Sequence, residues 1–319
     1  MSLPGERWAE PIGRRIRLRD LRLLLAVIQC GSMAKAARRI SLSQPAISKT
    51  ISDLEHALGV RLLDRGPQGI EPTLYGRALV RRAVTVFDEL RQAVSELEFL
   101  ANPSIGEVRI GCNDSLSVAL LPEVIERLST EHPGIIPHVT QMSRPITVEI
   151  EHLRDRAVDL IIGRGIFPIP EDDLNAEILF EERLVVVASL QSSWVRRRKL
   201  RLADLTEAKW IAFPPQEGPN LLVQQAFLAQ GLDTPRPSVT TSSFHLRDAL
   251  LATGNYLTVV PECMLRVFNA KALSVKVLPI DLAIPIRQVA LFTLKNRTLN
   301  PAAEILIDCV RAVASTFRD

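Results

Sequence analysis

The sequence predicts an α/β protein with an all-α-rich N-terminal head. Three observations carry this. Apolar residues recur at helical spacing from Leu18 to about Leu58, and a second helical stretch runs from Thr73 to about Ala101. The run Asn102-Pro103-Ser104-Ile105-Gly106 then breaks the pattern. Beyond it, strands alternate with helices, the arrangement of a parallel α/β sheet.

The elements follow in order. Glu107–Cys112 is expected as a strand, Val118–Glu131 as a helix, Ile135–Gln141 as a strand, Thr147–Arg154 as a helix and Asp159–Gly163 as a strand. The alternation resumes with strands Leu184–Ala188 and Trp210–Phe213, helix Leu221–Gln230, strand Ser238–Thr241, helix Leu246–Thr253 and strand Leu257–Pro261. Strand Gln288–Leu294 and helix Ala302–Phe317 end the chain. Pro4, Gly5, Pro11 and Gly13 break any helix in residues 1–17, which are expected as a flexible basic leader ending in Arg14, Arg15 and Arg17.

At 319 residues the chain is long enough for two or three domains of ordinary size. The net charge of +3 conceals an asymmetry. Residues 1–82 carry 15 Lys and Arg against 7 Asp and Glu, and the remainder carries 24 against 29. A basic head on a mildly acidic body fits a polyanion partner for the head alone, although an Arg-rich solvated surface has the same composition. Aromatic residues make up only 5%, so base stacking is not the expected way of holding nucleic acid. The four cysteines, Cys30, Cys112, Cys263 and Cys309, lie far apart without metal-ligand spacing and read as reduced thiols of a cytoplasmic protein. The N-terminus lacks the apolar core of a signal peptide, and runs such as Leu184–Leu190 are too short to cross a bilayer.

The segment from Gly31 to Gly59 carries the first functional pattern. Ser32 is placed to cap a helix over Met33–Arg39, and Ala36 and Ala37 are small enough for a second helix to cross closely. Ser41-Leu42-Ser43 forms a turn, Ser43 caps the next helix, and Pro45 lies in its first turn. In that helix Ala46, Ile47, Ile51, Leu54 and Leu58 are expected to face inward. Gln44, Ser48, Lys49 and Ser52 then face outward near the N-terminal half, where a recognition helix meets the major groove. Gln44 suits a base edge, Ser48 and Ser52 suit phosphates or bases, and Lys49 suits a phosphate. From Val60 to Thr73 two short strand-like runs flank a Gly/Pro turn, which predicts a β-hairpin wing with Arg65 at its base, placed for a minor groove or phosphate.

Residues 19–101 resemble the N-terminal region of LysR-type transcriptional regulators. The residues that carry the likeness are Arg19-Asp20-Leu21, Gly31-Ser32-Met33-Ala34-Lys35-Ala36-Ala37, Leu42-Ser43-Gln44-Pro45-Ala46-Ile47-Ser48-Lys49, Ile51, Leu54-Glu55, Leu58-Gly59, Leu62-Leu63-Asp64-Arg65, Thr73 and Gly76. The stretch from Pro67 to Gly76 resembles a branch that includes regulators of sugar uptake and aromatic-acid breakdown. Leu74-Tyr75 departs from the acidic or small residues of many members and is expected to weaken the cap of the following helix.

Leu79, Ala83, Phe87, Leu90, Val94 and Leu97 form one stripe on that helix, at the three-four spacing of a helix-helix seam. The resemblance implies that such helices pair between subunits, giving dimers and tetramers, and that the partner is double-stranded DNA with an interrupted palindromic operator. RNA polymerase is a further partner if the output is activation. The resemblance also implies a two-subdomain effector domain similar to periplasmic binding proteins, with two crossover strands as its hinge. The expected division is 1–17 leader, 18–73 winged helix-turn-helix, 74–102 linker helix and 103–319 effector domain. Within the last, the first subdomain takes 106–179 and 286–319, and the second 180–285.

Ligands of open α/β sheets bind at strand C-terminal ends. Those ends carry Asn113, Asp114 and Ser115, then Ser143 with Arg144, Arg164, Phe213 with Pro214, and Ser242 with Ser243 and Phe244. Arg164 suits an anion, and Asp114 a polyol or cation. The expected ligand is a small polar effector, a carboxylate or a sugar, and no cofactor or metal is expected. For any one of these residues, capping or loop solvation is nearly as good an account. A solute-binding protein is disfavoured by the DNA-binding head, and an architectural DNA protein by the two-subdomain body. An enzyme is disfavoured because no phosphate loop, zinc-hydrolase helix or nucleophile elbow is present and His56, His132, His138, His152 and His245 are scattered.

Overall fold

The computed structural model describes residues 16–66, 69–165, 167–168, 171–197, 199–214, 218–270 and 275–318. Residues 1–15 of the expected leader and Pro67-Gln68 of the wing lie outside the described residues. The chain divides into two compact units between Arg91 and Gln92, inside the long helix and ahead of the break at Asn102.

The first unit begins with helices α1 (Leu18–Cys30), α2 (Met33–Arg39) and α3 (Gln44–Leu58). Leu24, Val27, Ile47, Ile51, Leu54 and Leu62 form its core. Each such buried side chain contributes roughly 1.5–3 kcal/mol relative to exposure. Ser43 caps α3 by accepting from the Ala46 amide at 3.4 Å. Ser32 occupies the cap position of α2 in extended conformation but makes no side-chain capping bond. The wing is an antiparallel hairpin of β1 (Leu63–Gly66) and β2 (Gly69–Pro72). Gly69 has φ +123° and its missing Cβ would lie 2.8 Å from the Gly31 carbonyl, so only glycine lets the hairpin close onto the end of α1. Arg65 pairs with Ile70 one step from the turn, nearer the tip of the hairpin than the expected base.

Helix α4 (Leu74–Ala101) follows. The weakened cap expected from Leu74-Tyr75 is corrected by Thr73, whose Oγ1 accepts from the Gly76 amide at 3.0 Å and donates to the Arg61 carbonyl at 2.7 Å. The capping residue precedes both, so their exposed side chains take no part.

The second unit contains two five-stranded sheets. The first has the order β4-β3-β5-β12-β6, from β3 (Ile105–Asn113), β4 (Gly134–Met142), β5 (Leu160–Gly165), β6 (Leu174–Glu182) and β12 (Arg287–Leu294). The second has the order β11-β7-β10-β8-β9, from β7 (Leu184–Ser189), β8 (Trp210–Ala212), β9 (Pro237–Thr240), β10 (Leu257–Pro261) and β11 (Val275–Val277). The sheets are mixed, which corrects the parallel expectation: β12 runs antiparallel to β5 and β6, and β7 antiparallel to β10 and β11. Strand β12 enters the first sheet between β5 and β6 only after the chain has built the second sheet, and β7 pairs with β10 and β11 and not with its sequence neighbour β6, so none of these pairs is the strand-helix-strand unit that sets parallel neighbours.

The expected helix 118–131 is two, α5 (Asp114–Ala119) and α6 (Leu121–Glu131), with Pro122 in the first turn of the second. The expected helix 147–154 is likewise split into α7 (Ile146–Glu149) and α8 (Glu151–Arg154). Helices α9 (Gly218–Ala229), α10 (Phe244–Ala252), α11 (Met264–Ala270) and α12 (Pro301–Ser315) complete the unit. Buried Asp159 fastens the first sheet, accepting from the Arg109 backbone amide at 2.7 Å and from the guanidinium groups of Arg109 and Arg297 at 2.8 and 2.5 Å.

Candidate nucleic-acid interface and ligand cleft

Helix α3 exposes Gln44, Pro45, Lys49 and Ser52 and leaves Ser48 half-buried. Ala46 is exposed too, which corrects its expected place in the inward stripe. At 100° per residue, the stripe set by fully buried Ile47, Ile51 and Leu54 leaves Ala46 on the flank shared with Lys49 and Asp53. A small apolar side chain there suits contact with a thymine methyl group.

Glu55, on the far side of α3, ties the helix to the wing. Its Oε1 accepts from the backbone amides of Leu62 and Leu63 at 2.7 and 3.2 Å. The hairpin is held a second time where the Ile70 amide donates to the Gly31 carbonyl at 3.0 Å. The outward face of α3 and the hairpin are therefore one rigid piece. Arg65 is exposed and, among the described residues, engages no ion pair; Asp64 pairs instead with Arg61 at 3.9 Å.

In the second unit Arg164, at the end of β5, gathers several expected residues. Its Nη1 donates to Asn113 Oδ1 at 2.9 Å and to Ser115 Oγ at 3.0 Å. Its Nε donates to Glu182, and its Nη2 reaches Cys263 Sγ, in the other subdomain, at 3.7 Å. Burial alone would lower the pKa of this guanidinium, but Glu182 holds it above its ordinary value. Arg164 is thus committed to an internal carboxylate and is not presented alone to an anion.

The backbone donors after β4 are similarly occupied. The amides of Ser143 and Arg144 donate to Glu149 Oε1 at 3.2 and 2.8 Å, so a buried internal carboxylate already sits where an external one was expected. The Ser143 side chain remains exposed. Asp114 accepts from Gln141 Nε2 at 3.0 Å. Burial raises its pKa, and the charges of Arg247 and His245 lower it in part.

Phe213 and Pro214 are half-buried, and the Arg247 guanidinium stacks 3.6 Å from the Phe213 ring centroid. Ser243 serves as the cap of α10, accepting from the Leu246 amide at 3.3 Å, while Ser242 is exposed. The structure therefore joins Asn113, Ser115 and Arg164 directly and brings Asp114 within electrostatic reach of Arg247, which stacks on Phe213. It adds Glu182, Cys263 and Arg247. The signal for Arg247 was its place one turn into a helix capped by Ser243, beside a strand end already singled out. Glu182 had no comparable signal, because β6 carries the carboxylates Glu177, Glu181 and Glu182 and does not look like a strand.

A basic head whose helix-turn-helix and wing are locked together, followed by a two-subdomain α/β body, defines a DNA-binding regulator with a ligand-binding domain. Residues 18–77 match the family model described as bacterial regulatory helix-turn-helix protein, lysR family, and residues 101–315 match the LysR substrate binding domain. The chain belongs to the LysR family of transcriptional regulators, which are not enzymes. The HTH-type transcriptional regulator GbpR of Azospirillum brasilense is 30% identical, over 95% of this chain and 88% of its own length. BenM of Acinetobacter baylyi is 29% identical, over 77% of this chain and 80% of its own. Among solved structures, full-length CbnR complexed with its target DNA covers 93% of this chain and 100% of its own at TM-score 0.63 and 22% identity. Full-length OxyR from Pseudomonas aeruginosa covers 93% and 98% at TM-score 0.66 and 21% identity. These structures share the fold. No helix among the described residues is long and apolar enough to cross a membrane.

Proposed function

We propose that this chain is a ligand-responsive regulator that docks α3 in a major groove, sets its wing against the adjacent backbone, and changes its DNA complex when a small polar effector enters the cleft. The observation that carries the reading is Arg164, one buried side chain with partners in both subdomains. A ligand that alters their relative orientation must alter this contact set, and a ligand shifts an equilibrium only through its different affinity for the two orientations. Effector contacts are assigned to Asn113, Asp114, Ser115, Ser143, Phe213, Pro214 and Ser242, with Arg164 organising the first three. Ser243 acts through the cap of α10. The exposed stripe of α4 pairs with a second copy, and two DNA half-sites follow from that symmetry.

The test is equilibrium binding of the full chain to DNA selected from a random pool. Gln44→Ala is expected to lose roughly 1–3 kcal/mol on selected DNA and little on random DNA. Lys49→Ala and Arg65→Ala are expected to weaken both alike and to reduce the salt slope by about 1 each. Equal losses for Gln44→Ala on both DNAs, with unchanged slopes for the other two, would remove this face from the interface.

A further inference from the structure

The register of the first sheet brings a second arginine to the Arg164–Glu182 pair. Arg287, the first residue of β12, lies directly opposite Glu182 on β6, and Val289 lies opposite Arg164 on β5. Residues directly opposite each other in an antiparallel ladder project to the same face, as do alternate residues of one strand. Arg164, Glu182 and Arg287 therefore share one face at the end of the sheet, where the chain crosses to the other subdomain after Glu182 and returns before Arg287.

Two of their atoms are left over. Arg287 Nη1 and Glu182 Oε2 are both buried, and neither has a hydrogen-bond partner among the described residues. Among these three side chains the charges do not balance either, since two guanidinium groups share one carboxylate. The nearby thiols do not supply the missing charge, because burial pushes Cys112 up to about 12 and raises Cys263 as well. The surplus is felt at Arg287, whose pKa burial and the charge of Arg164 bring down to about 10. It nonetheless stays protonated at neutral pH.

We infer that Arg287 and Glu182 form the recognition point for a small carboxylate bearing a neighbouring hydroxyl: the carboxylate accepts from Arg287 Nη1 and the hydroxyl donates to Glu182 Oε2. A carboxylate neutralises the surplus cation, and an adjacent donor satisfies the remaining acceptor. A plain carboxylate does only the first, and a neutral polyol only the second. The position at the crossover gives such a ligand leverage on the two subdomains. This assignment deepens the effector-cleft reading and rests on it for regulatory meaning, but the binding itself does not.

The experiment measures thermal unfolding of the full chain against increasing glycolate, acetate and ethylene glycol, with sodium chloride matching the ionic strength. A ligand confined to the folded state raises the midpoint with concentration. Glycolate is expected to bind at least about tenfold more tightly than acetate, the difference of one hydrogen bond to a charged acceptor. Ethylene glycol is expected to give no saturable shift. Arg287→Gln is expected to weaken glycolate at least about tenfold, and Arg287→Lys less, because it keeps the charge. Without ligand, Arg287→Gln is expected to unfold about 2–4 °C higher, having lost an uncompensated buried charge. Equal binding of glycolate by wild type and Arg287→Gln, or no binding by wild type, overturns the site. A lower midpoint for ligand-free Arg287→Gln overturns the surplus charge on which it is built. If glycolate binds through Arg287 but the DNA footprint never changes, the site stands and the ligand-responsive reading fails. If another small molecule changes the footprint equally in wild type and Arg287→Gln, that reading stands and this site fails.

Discussion

A single side chain, Arg164, shows how differently a residue reads in sequence and in space. Its place at a strand end marked it for function, but an arginine in sequence looks like an available cation. In the structure its side chain is 6% exposed and bonded to Glu182, itself 2% exposed. Removing Arg164 takes the hydrogen-bond donor away from Glu182, Asn113 and Ser115 together, while Arg287 still balances the Glu182 charge. Arg164→Ala is therefore expected to lower unfolding stability by about 1–3 kcal/mol through the polar atoms left unpartnered, measured by urea denaturation of the full chain. Wild-type stability would show that these atoms find other partners. Asp114 behaves in the opposite sense. Its folded pKa is raised, chiefly by burial, so the folded chain holds that proton more tightly than the unfolded chain does. Ionisation costs stability, and the penalty develops as pH rises from the unfolded value of about 3.9 through the raised folded value. Asp114→Asn keeps the oxygen that accepts from Gln141 and is expected to raise the unfolding midpoint at pH 7 while leaving it unchanged near pH 3. An equal effect at both pH values would assign the change to packing instead of charge.

At the scale of elements, what was legible followed from local spacing. Helices α1 to α4 and the wing were visible because caps, turns and apolar periods lie within a few residues of one another. Ala46 lies outside the inward stripe that its spacing suggests because the period is ambiguous at the flank, where one small apolar residue fits either face. Strand β6 and the partners of Arg164 were hidden because they depend on pairing between residues far apart in sequence, 18 for Glu182 and 99 for Cys263. Helix α4 combines both lessons. Its spacing makes a single stripe, yet Ala83 is 1% exposed and Leu79 and Phe87 are half-buried, whereas Leu90, Val94 and Leu97 rise to 45%, 53% and 66%. Leu79 packs against the core of the head. The two halves should respond differently to a charge. Leu97→Glu is expected to give smaller species in sedimentation with unchanged unfolding, because the seam between copies takes the charge. Ala83→Glu is expected to destabilise the chain itself by several kcal/mol, since an unpaired charge is then buried. Oligomers of wild-type size in Leu97→Glu would exclude the exposed half of α4 from the seam.

At the scale of the whole molecule, a regulator must couple two sites, and that coupling obeys a rule independent of structural detail. If an effector changes DNA affinity by some factor, DNA changes effector affinity by the same factor, with typical values of about 5–150-fold. The charge asymmetry between head and body divides the labour: the head's affinity for DNA falls with salt, whereas a buried cleft pair is screened far less. Coupling measured at two salt concentrations is therefore expected to stay nearly constant while DNA affinity itself falls steeply. Ser115→Ala offers the control. Its hydroxyl bonds Arg164 at 3.0 Å in the body, and Ser115 is no part of the head, so basal DNA affinity is expected to match wild type while the coupling factor falls. The measurement is a pair of titrations on the full chain, effector with and without selected DNA, and DNA with and without effector. The effector is glycolate, or any small carboxylate or sugar found to raise the unfolding midpoint. Closure of the cycle validates the affinities, and a reduced factor in Ser115→Ala places the Arg164 contact set on the route between the sites. An undiminished factor in that variant would mean that the two sites communicate without it.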